Sequence, residues 1–273
     1  MGTKYWQEFL IPYHQAVDEI VLKFTSLKDQ YEKIGEYSPI ESVYGRVKSV
    51  ASILEKIHNY GVDIESLEET IQDIAGIRIM CQFEDDIYEV VELIRKRSNC
   101  DMEVVKVKDY LSEAKASGYK SYHLIIRYPV FCVSGNQSIL VEIQIRTLAM
   151  NFWSIIEHSL NYKYKENIPE AIKTRLINAA NAVNDVDREM SSIREEIQSA
   201  QRLFGLKSSL VTSILDNIGH LYKLNHGDKA SHYEKIFDDL FAQEDIIQLI
   251  LLRKELESEV NKLSLIHISS PRD

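Results

Sequence analysis

The sequence lacks the features of a membrane protein, a secreted protein or a disulfide-bonded scaffold. None of its apolar runs is long enough to span a bilayer, and its amino terminus has no apolar signal-peptide core. The three cysteines, Cys81, Cys100 and Cys132, form no CxxC motif, and their odd number fits no closed set of disulfides. We therefore predict a cytoplasmic protein without a membrane partner.

Basic residues are also scarce relative to acidic ones. The chain carries 32 Lys and Arg against 42 Asp and Glu, a net charge of −10. Because non-specific nucleic-acid binding depends on basic side chains that neutralise phosphates, nucleic acid is not an expected partner. A glycine-rich G-x-x-x-x-G-K-[ST] phosphate loop is absent as well. The charge balance is still compatible with a local basic pocket for a small polyphosphate.

Apolar periodicity predicts an α+β fold, with a mixed α/β part followed by helices alone. Strand-like composition occurs in four segments: 76–83, 103–107, 121–128 and 138–146. Helical spacing occurs in five segments: 4–33, 47–58, 85–97, 148–165 and 169–203. We divide the chain into a main domain (1–204), a helical extension of two or three helices (205–264) and a tail without periodicity (265–273). The tail is predicted to be disordered or non-native.

The segment 138–146 alternates apolar and polar side chains, and a β-strand sends successive side chains to opposite faces. Val141, Ile143 and Ile145 therefore share a core-facing side. The other face carries three polar groups: Glu142, Gln144 and Arg146. A carboxylate, an amide and a guanidinium on one rigid strand can hold a metal and a polar substrate. The alternative is an amphipathic strand with one solvated face.

Two further segments carry groups that suit a nucleotide's phosphates and a cation. Lys48, Ser52 and Lys56 lie four residues apart on a predicted helix, with Arg46 at its entrance. This stripe is either a phosphate cradle or a solvated helix face. Asp73 precedes a predicted strand and, paired with Glu142, would form a Mg²⁺ site.

Each of these residues also has a structural alternative. Asp73 is equally explained as a helix or turn cap. Arg78, inside an apolar strand, needs an anion or an aromatic face, or else forms a structural salt bridge.

Aromatic and basic residues are interleaved in the segment 115–123. Tyr119 follows a flexible Ser-Gly step and can stack on a purine. Three neighbours can contact phosphates: Lys115, Lys120 and His123. Farther along, the side-chain amide of Asn151 can read a purine edge. The alternatives are a packing tyrosine, a structural histidine and a helix-surface amide.

Four motifs together resemble the small alarmone synthetases, the single-domain relatives of the RelA/SpoT synthetase domain. They are GRVKSVASILEK (45–56), QDIAGIRIMCQF (72–83), SGYKSYH (117–123) and VEIQIRTLAMNFWSIIEHSLNYKY (141–164). The resemblance covers about residues 4–202. It implies a nucleotidyltransferase-like mixed β-sheet flanked by helices, in a homotetramer. It also implies transfer of the β,γ-pyrophosphate of ATP to the ribose 3′-OH of GTP or GDP.

The resemblance also implies a role for each candidate residue. Asp73 and Glu142 would bind Mg²⁺, and Glu142 would act on the 3′-OH proton. The ATP site would comprise Arg46, Lys48, Ser52, Lys56 and Arg78, with the two arginines on either side of the adenine. The GTP site would comprise Lys115, Tyr119, Lys120, His123, Gln144 and Asn151, with Tyr119 stacked on the guanine.

Two alternative functions share this fold. One is a toxic synthetase that pyrophosphorylates tRNA, which the acidic net charge and the complete guanine-site motif disfavour. The other is a catalytically silent sensor of nucleotides or RNA, which the intact pair of Asp73 and Glu142 disfavours. The sequence contains no His-Asp hydrolase motif, so we expect synthesis of the alarmone without its degradation.

Overall fold

The computed structural model describes residues 3–61, 63, 66–113, 115–133, 135–163 and 169–269. It divides into two compact units, Met1–Ser192 and Ile193–Asp273. The strands are β1 (Ser42–Val47), β2 (Ala75–Cys81), β3 (Glu103–Asp109), β4 (Tyr122–Cys132) and β5 (Gly135–Thr147). The helices are α1 (Thr3–Ile34), α2 (Val50–Tyr60), α3 (Leu67–Thr70), α4 (Glu84–Arg97), α5 (Leu148–Lys163), α6 (Glu170–Lys223), α7 (Gly227–Ala242) and α8 (Ile246–Ser269).

The first unit is built on one five-stranded mixed sheet, which confirms the predicted α+β fold. The strand order is β1-β2-β5-β4-β3, in which β2 and β5 are parallel and the other neighbours are antiparallel. Strands β4 and β5 are consecutive and antiparallel, and they form a hairpin. The described residues include no helix long and apolar enough to cross a membrane.

Alternation along β5 places its apolar residues in the core. Val141, Ile143 and Ile145 have no exposed surface, as the sequence predicted. Helix α1 packs against β1, β2, β4 and β5 and supplies buried residues such as Ile20 and Phe24. The polar side chains of the sheet are therefore directed to the opposite face.

The sequence analysis missed strand β1, and this changes the position of two candidate residues. Arg46 lies within β1, which pairs with β2, rather than at a helix entrance. Helix α2 begins only at Val50, after the N-cap residue Ser49, so Lys48 precedes the helix. The strand was hard to recognise because it is short and contains Gly45. A Cβ atom at this glycine would lie 2.4 Å from Cγ1 of Val17 on α1.

The predicted break after residue 203 is also absent. Helix α6 continues through Gly205 to Lys223, and the two units divide within it after Ser192 instead of at residue 204. The boundary between the two units leaves no signal in the helical periodicity, because helix α6 continues across it. Helix α8 extends to Ser269, so part of the segment 265–273 has a helical backbone, and residues 270–273 lie outside the described residues.

The second unit has a hydrophobic core of its own. It is formed by the carboxyl-terminal part of α6 with α7 and α8: Leu210, Ile214, Ile218, Leu221, Ala230, Tyr233, Phe237, Leu249, Leu252, Leu256 and Val260. The apolar residues of α8 largely contribute to this packing, since Leu249, Leu256 and Val260 are buried within the unit. Ile246 packs against the same core, and Ile250 is partly exposed.

Candidate active site

A single row of polar side chains crosses all five strands of the sheet. Its members are direct cross-strand partners: Tyr44, Arg78, Gln144, His123 and Lys108. Directly paired residues point to the same face of a sheet. The candidate residues from β1, β2, β4 and β5 are therefore brought together on the face opposite the core.

Three adjoining pockets form a cleft over this face. The central pocket is lined by Tyr44, Gly45, Arg46, Asp73, Gly76, Ile77, Arg78, Glu142 and Gln144. It shares Arg46, Arg78 and Gln144 with a pocket beside α5, which also includes Lys115, Tyr119 and Arg146. It shares Asp73 and Glu142 with a pocket beside α2, which also includes Lys56 and Lys108. Asp73 and Glu142 thus line the same two pockets.

Asp73 is held by the two lysines that the sequence placed in one stripe. Its Oδ2 atom accepts hydrogen bonds from Nζ of Lys48 at 2.5 Å and from Nζ of Lys56 at 2.7 Å. Burial alone would raise the pKa of Asp73, but the hydrogen bonds and charges of the two lysines lower it overall. Its other oxygen, Oδ1, is buried and has no hydrogen-bond partner among the described residues. This oxygen is the one available to a ligand.

Glu142 is held at both carboxylate oxygens. Its Oε1 lies 3.1 Å from Nδ1 of His123, and its Oε2 accepts a hydrogen bond of 2.8 Å from Nε2 of Gln144. Burial would raise the pKa of Glu142, but the hydrogen bonds from His123 and Gln144 lower it overall. The pKa of His123 is itself lowered, chiefly by desolvation. These directions indicate a neutral His123 imidazole beside an ionised Glu142 carboxylate.

Aromatic rings surround His123 on the side of the α5 pocket. The hydroxyl of Tyr119 lies 2.9 Å from Nε2 of His123, and the ring of Tyr110 meets the imidazole edge-on at 5.2 Å between centroids. The ammonium of Lys115 lies 4.5 Å from the ring centre of Tyr110 and 4.9 Å from that of Tyr119. Cation–π contacts of this kind hold the loop that carries Lys115 and Tyr119 against the cleft.

Arg46 and Arg78 approach each other at the junction of the central and α5 pockets. Desolvation, together with the charge of Arg46, lowers the pKa of Arg78. Nε of Arg78 is buried and has no hydrogen-bond partner among the described residues. The predicted salt bridge of Arg78 is not found there, so its guanidinium is available to a planar or anionic ligand.

Two candidate residues, Lys120 and Ser52, lie apart from this group. Lys120 lines a separate small cavity with Met150 and Trp153 and is not among the lining residues of the three cleft pockets. Its position does not favour the predicted contact with the acceptor nucleotide. Ser52 is engaged at the start of α2, where Ser49 bonds both its backbone N–H and its hydroxyl.

Asn151 lies on α5, on the stripe that continues with Ser154 and His158 of the α5 pocket. Its side-chain oxygen is buried without a partner among the described residues. This placement is compatible with the predicted role at a purine edge.

The sequence analysis placed Arg146 on the polar face of its strand but gave it no role in either nucleotide site. Only 2% of its surface is exposed, and it lines the α5 pocket. Its guanidinium donates hydrogen bonds to the Tyr119 hydroxyl at 2.9 Å and to Oε1 of Gln144. The one available signal was its place on the polar face of β5, two residues beyond Gln144.

Comparisons with known proteins agree with the fold and identify the family. Residues 45–167 match the region found in RelA and SpoT proteins. The chain is 54% identical over 207 residues to the GTP pyrophosphokinase YjbM of Bacillus subtilis (strain 168), covering 76% of this chain and 97% of that protein. It is similar to the small alarmone synthetase 1 of Bacillus subtilis bound to its product pppGpp, with a TM-score of 0.68 and 54% identity, covering 71% of this chain and 99% of that one.

The same Bacillus subtilis synthetase bound to AMPCPP gives a TM-score of 0.62 at 51% identity, covering 72% of this chain and 99% of that one. The chain therefore belongs to the RelA/SpoT family. Within that family its relatives over most of its length are the small alarmone synthetases.

Proposed function

We propose that this protein transfers the β,γ-pyrophosphate of ATP to the ribose 3′-hydroxyl of GTP or GDP, giving pppGpp or ppGpp and AMP. The observation that carries the proposal is one continuous cleft with Glu142 between its lysine-lined and tyrosine-lined parts. The relatives support it, because one is named a GTP pyrophosphokinase and another is bound to pppGpp.

The donor nucleotide occupies the central and α2 pockets. Lys48 and Lys56 converge on one point beside Asp73 and can instead neutralise phosphate oxygens when ATP enters. Arg46 and Arg78 offer guanidinium planes on which an adenine can stack. The Bacillus subtilis relative bound to AMPCPP supports the binding of an adenine nucleotide as such.

The acceptor nucleotide occupies the α5 pocket. The Tyr119 ring provides a stacking surface for guanine, and Asn151 lies on the helix stripe that lines this pocket. Lys115, His123 and Gln144 supply cationic and polar groups along the path from the base toward Glu142. The 3′-hydroxyl thereby comes to the carboxylate.

The reaction needs positioning, charge neutralisation and one proton transfer. The acceptor 3′-oxygen forms a bond to the β-phosphorus of ATP, the bond between that phosphorus and the α,β-bridging oxygen breaks, and AMP leaves. Glu142 accepts the hydroxyl proton, a contribution of about 10²- to 10⁴-fold for a positioned general base. Because the pKa of Glu142 is lowered, the carboxylate is ionised and ready to accept it.

A magnesium ion fits the carboxylates of the cleft. Asp73 presents a buried oxygen that has no hydrogen-bond partner in the described part of the chain, and Asp73 and Glu142 line the same two pockets. Among the described residues no three His, Cys, Asp or Glu side chains cluster as a metal site. Two carboxylates completed by phosphate oxygens and water are what Mg²⁺ prefers. Asp73 and Glu142 would hold the ion, which would withdraw charge from the triphosphate.

Two further properties belong to the same proposal. The chain would assemble as a homotetramer, as its family resemblance implies. It would act in the cytoplasm, a reducing compartment that suits the free Cys81, Cys100 and Cys132.

Incubation of the protein with labelled ATP, Mg²⁺ and one acceptor at a time tests the activity. We expect AMP and a pyrophosphorylated product with GTP or GDP, and none with tRNA. Product with tRNA alone would indicate the toxic type of synthetase, and no product with any acceptor would indicate a silent sensor.

The Glu142→Gln variant provides the matched control for the assay. We expect it to fold, to bind ATP and GTP, and to lose at least 10²-fold in turnover, because the amide cannot accept the proton. Wild-type turnover in this variant would remove Glu142 from the catalytic role.

A further inference from the structure

Arg146 and Glu142 are joined by two separate hydrogen-bonded arms. In the first arm, Nη2 of Arg146 bonds the Tyr119 hydroxyl at 2.9 Å, this hydroxyl lies 2.9 Å from Nε2 of His123, and Nδ1 of His123 lies 3.1 Å from Oε1 of Glu142. In the second arm, the same Nη2 bonds Oε1 of Gln144, whose Nε2 donates at 2.8 Å to Oε2 of Glu142. Both arms start at one nitrogen and end on the two oxygens of one carboxylate.

Donors and acceptors alternate in one direction along both arms. A guanidinium nitrogen can only donate, and an ionised carboxylate can only accept. Nδ1 of His123 therefore carries its proton, Nε2 accepts from the Tyr119 hydroxyl, and Arg146 donates to the hydroxyl oxygen. In the second arm the amide oxygen of Gln144 accepts and its NH₂ donates. Every contact along both arms therefore pairs one donor with one acceptor.

The surroundings hold Arg146 in place. It is 2% exposed, and His123 is 6% exposed, so water does not compete for these bonds. The guanidinium also lies 5.5 Å from the centre of the Tyr119 ring, a cation–π contact that adds to its hydrogen bond with the same side chain. Among the described residues Arg146 forms no ion pair, so a salt bridge does not explain its burial.

We propose that Arg146 is a positioning residue that orients Glu142 through both arms and fixes the Tyr119 ring as part of the first. The inference rests on the proposed function and deepens it. One buried guanidinium nitrogen orients both the general base Glu142 and the stacking ring of Tyr119. Binding of the acceptor and abstraction of its proton therefore depend on the same residue. Positioning of this kind affects turnover, because a displacement of about 1 Å in the reacting groups can cost about 10²-fold.

Kinetics of paired variants separate this role from a merely structural one. Tyr119→Phe cuts the first arm but keeps the stacking ring, so we expect kcat to fall about 10-fold with the KM values for GTP and ATP unchanged. Arg146→Met cuts both arms, and we expect kcat to fall about 10²-fold with the KM for ATP unchanged. The double variant should be no slower than Arg146→Met alone, because the first arm is already cut. Arg127→Met, on the same sheet but paired with Glu69, is the control and should stay within about twofold of wild type.

A spectroscopic readout tests the arms independently of the reaction. In protein labelled with ¹⁵N-histidine, side-chain nitrogen shifts report the tautomer of His123, assigned by its loss in His123→Asn. We expect the Nδ1–H tautomer in the wild type. In Arg146→Met we expect the same tautomer with a changed Nε2 shift, because Glu142 still accepts from Nδ1 while the Tyr119 hydroxyl is no longer held against Nε2. Wild-type protein that shows the Nδ1–H tautomer but makes no product would refute the proposed function, while the two hydrogen-bonded arms would remain supported.

Three results would overturn the positioning role. The first is a double variant in which the two losses of kcat multiply. The second is an Nε2–H tautomer of His123 in the wild type. The third is an unchanged kcat in Tyr119→Phe. Thermal unfolding checks that each variant folds. If Arg146→Met does not fold, Gln144→Leu replaces it as a cut in the second arm, and unchanged kcat in both single-arm variants refutes the proposal.

Discussion

Replacing Gly118 with alanine tests how the acceptor side of the cleft is held in place. Gly118 precedes Tyr119 and has a φ of +83°, in the left-handed region that favours glycine. A Cβ atom built there would lie 2.6 Å from Cβ of Ala180 on α6, and 3.8 Å from the carbonyl oxygen of Ile177. The alanine variant therefore meets both a conformational and a steric obstacle.

The two obstacles can be given separate magnitudes. A non-glycine residue in the left-handed region costs about 1–2 kcal/mol. Forcing an extra methyl group into a packed contact typically costs about 1–3 kcal/mol. We expect Gly118→Ala to lower the free energy of unfolding by about 2–5 kcal/mol. Gly35→Ala, with a φ of +72° and no atom within 4 Å of its Cβ, should lose only the conformational part.

Denaturant titration of four proteins measures the steric part directly. Ala180→Gly alone should cost about 1 kcal/mol, the usual cost of glycine in a helix. Combined with Gly118→Ala it should remove the clash, so that the double variant loses less than the sum of the singles by about 1–3 kcal/mol. Strictly additive losses would show that the two residues do not touch, and the packing of this loop on α6 would be wrong.

The same substitution has an enzymatic consequence. Displacement of the loop shifts Tyr119 from its bonds with His123 and Arg146. We expect the KM for GTP to rise several-fold while the KM for ATP changes little. Equal changes in both values would refute the separation of the two nucleotide sites.

Three more outcomes follow from the described contacts. Tyr119→Ala should weaken binding of GTP far more than binding of ATP in calorimetric titrations, and equal losses would contradict guanine stacking. The pKa of Asp101 is lowered, mainly by its hydrogen bond from Arg97, with a further contribution from Lys23. A lowered carboxylate pKa stabilises the fold above the unfolded value of about 3.9 and ceases to do so as the pH falls through the folded value. Asp101→Asn should therefore cost about 1 kcal/mol at pH 7, with solvent screening included, and progressively less as the pH falls below the unfolded value; a cost that stays constant on acidification would refute this. Gly205→Ala, inside α6 with no atom within 4 Å, should raise the free energy of unfolding by about 1 kcal/mol, and a decrease would contradict the continuous helix.

Local periodicity predicted much of this architecture because the relevant forces are local. Alternation in 138–146 correctly placed Val141, Ile143 and Ile145 in the core, since burial acts on every second residue of a strand. Strand β1 was not predicted because its pairing with β2 is a long-range contact. Its Gly45 is required by close packing against α1, which the neighbouring sequence does not reveal.

The contacts within the cleft were less predictable than its residues. Lys48 and Asp73 are 25 residues apart, and nothing in either segment identifies the other as its partner. The role of Arg146 was not predicted, because its partners Tyr119 and Gln144 come together only in the folded protein. Gln144 lies on β5, and Tyr119 lies in the loop before β4. For Lys120 the neighbouring residues predict contact with a phosphate, and the structure places it at a separate cavity with Met150 and Trp153.

The register of β5 determines where its carboxylate lies. Gly76 pairs with Glu142 and Ile77 with Ile143 across the parallel β2–β5 ladder. A slip of one residue would expose Ile143 and bury Glu142 in the core. Losing the burial of three aliphatic side chains would cost about 1.5–3 kcal/mol each, and an unpaired buried carboxylate would cost more. Hydrophobic burial on one face of the sheet therefore holds Glu142 on the other, and the hydrogen bonds within the cleft need only orient it.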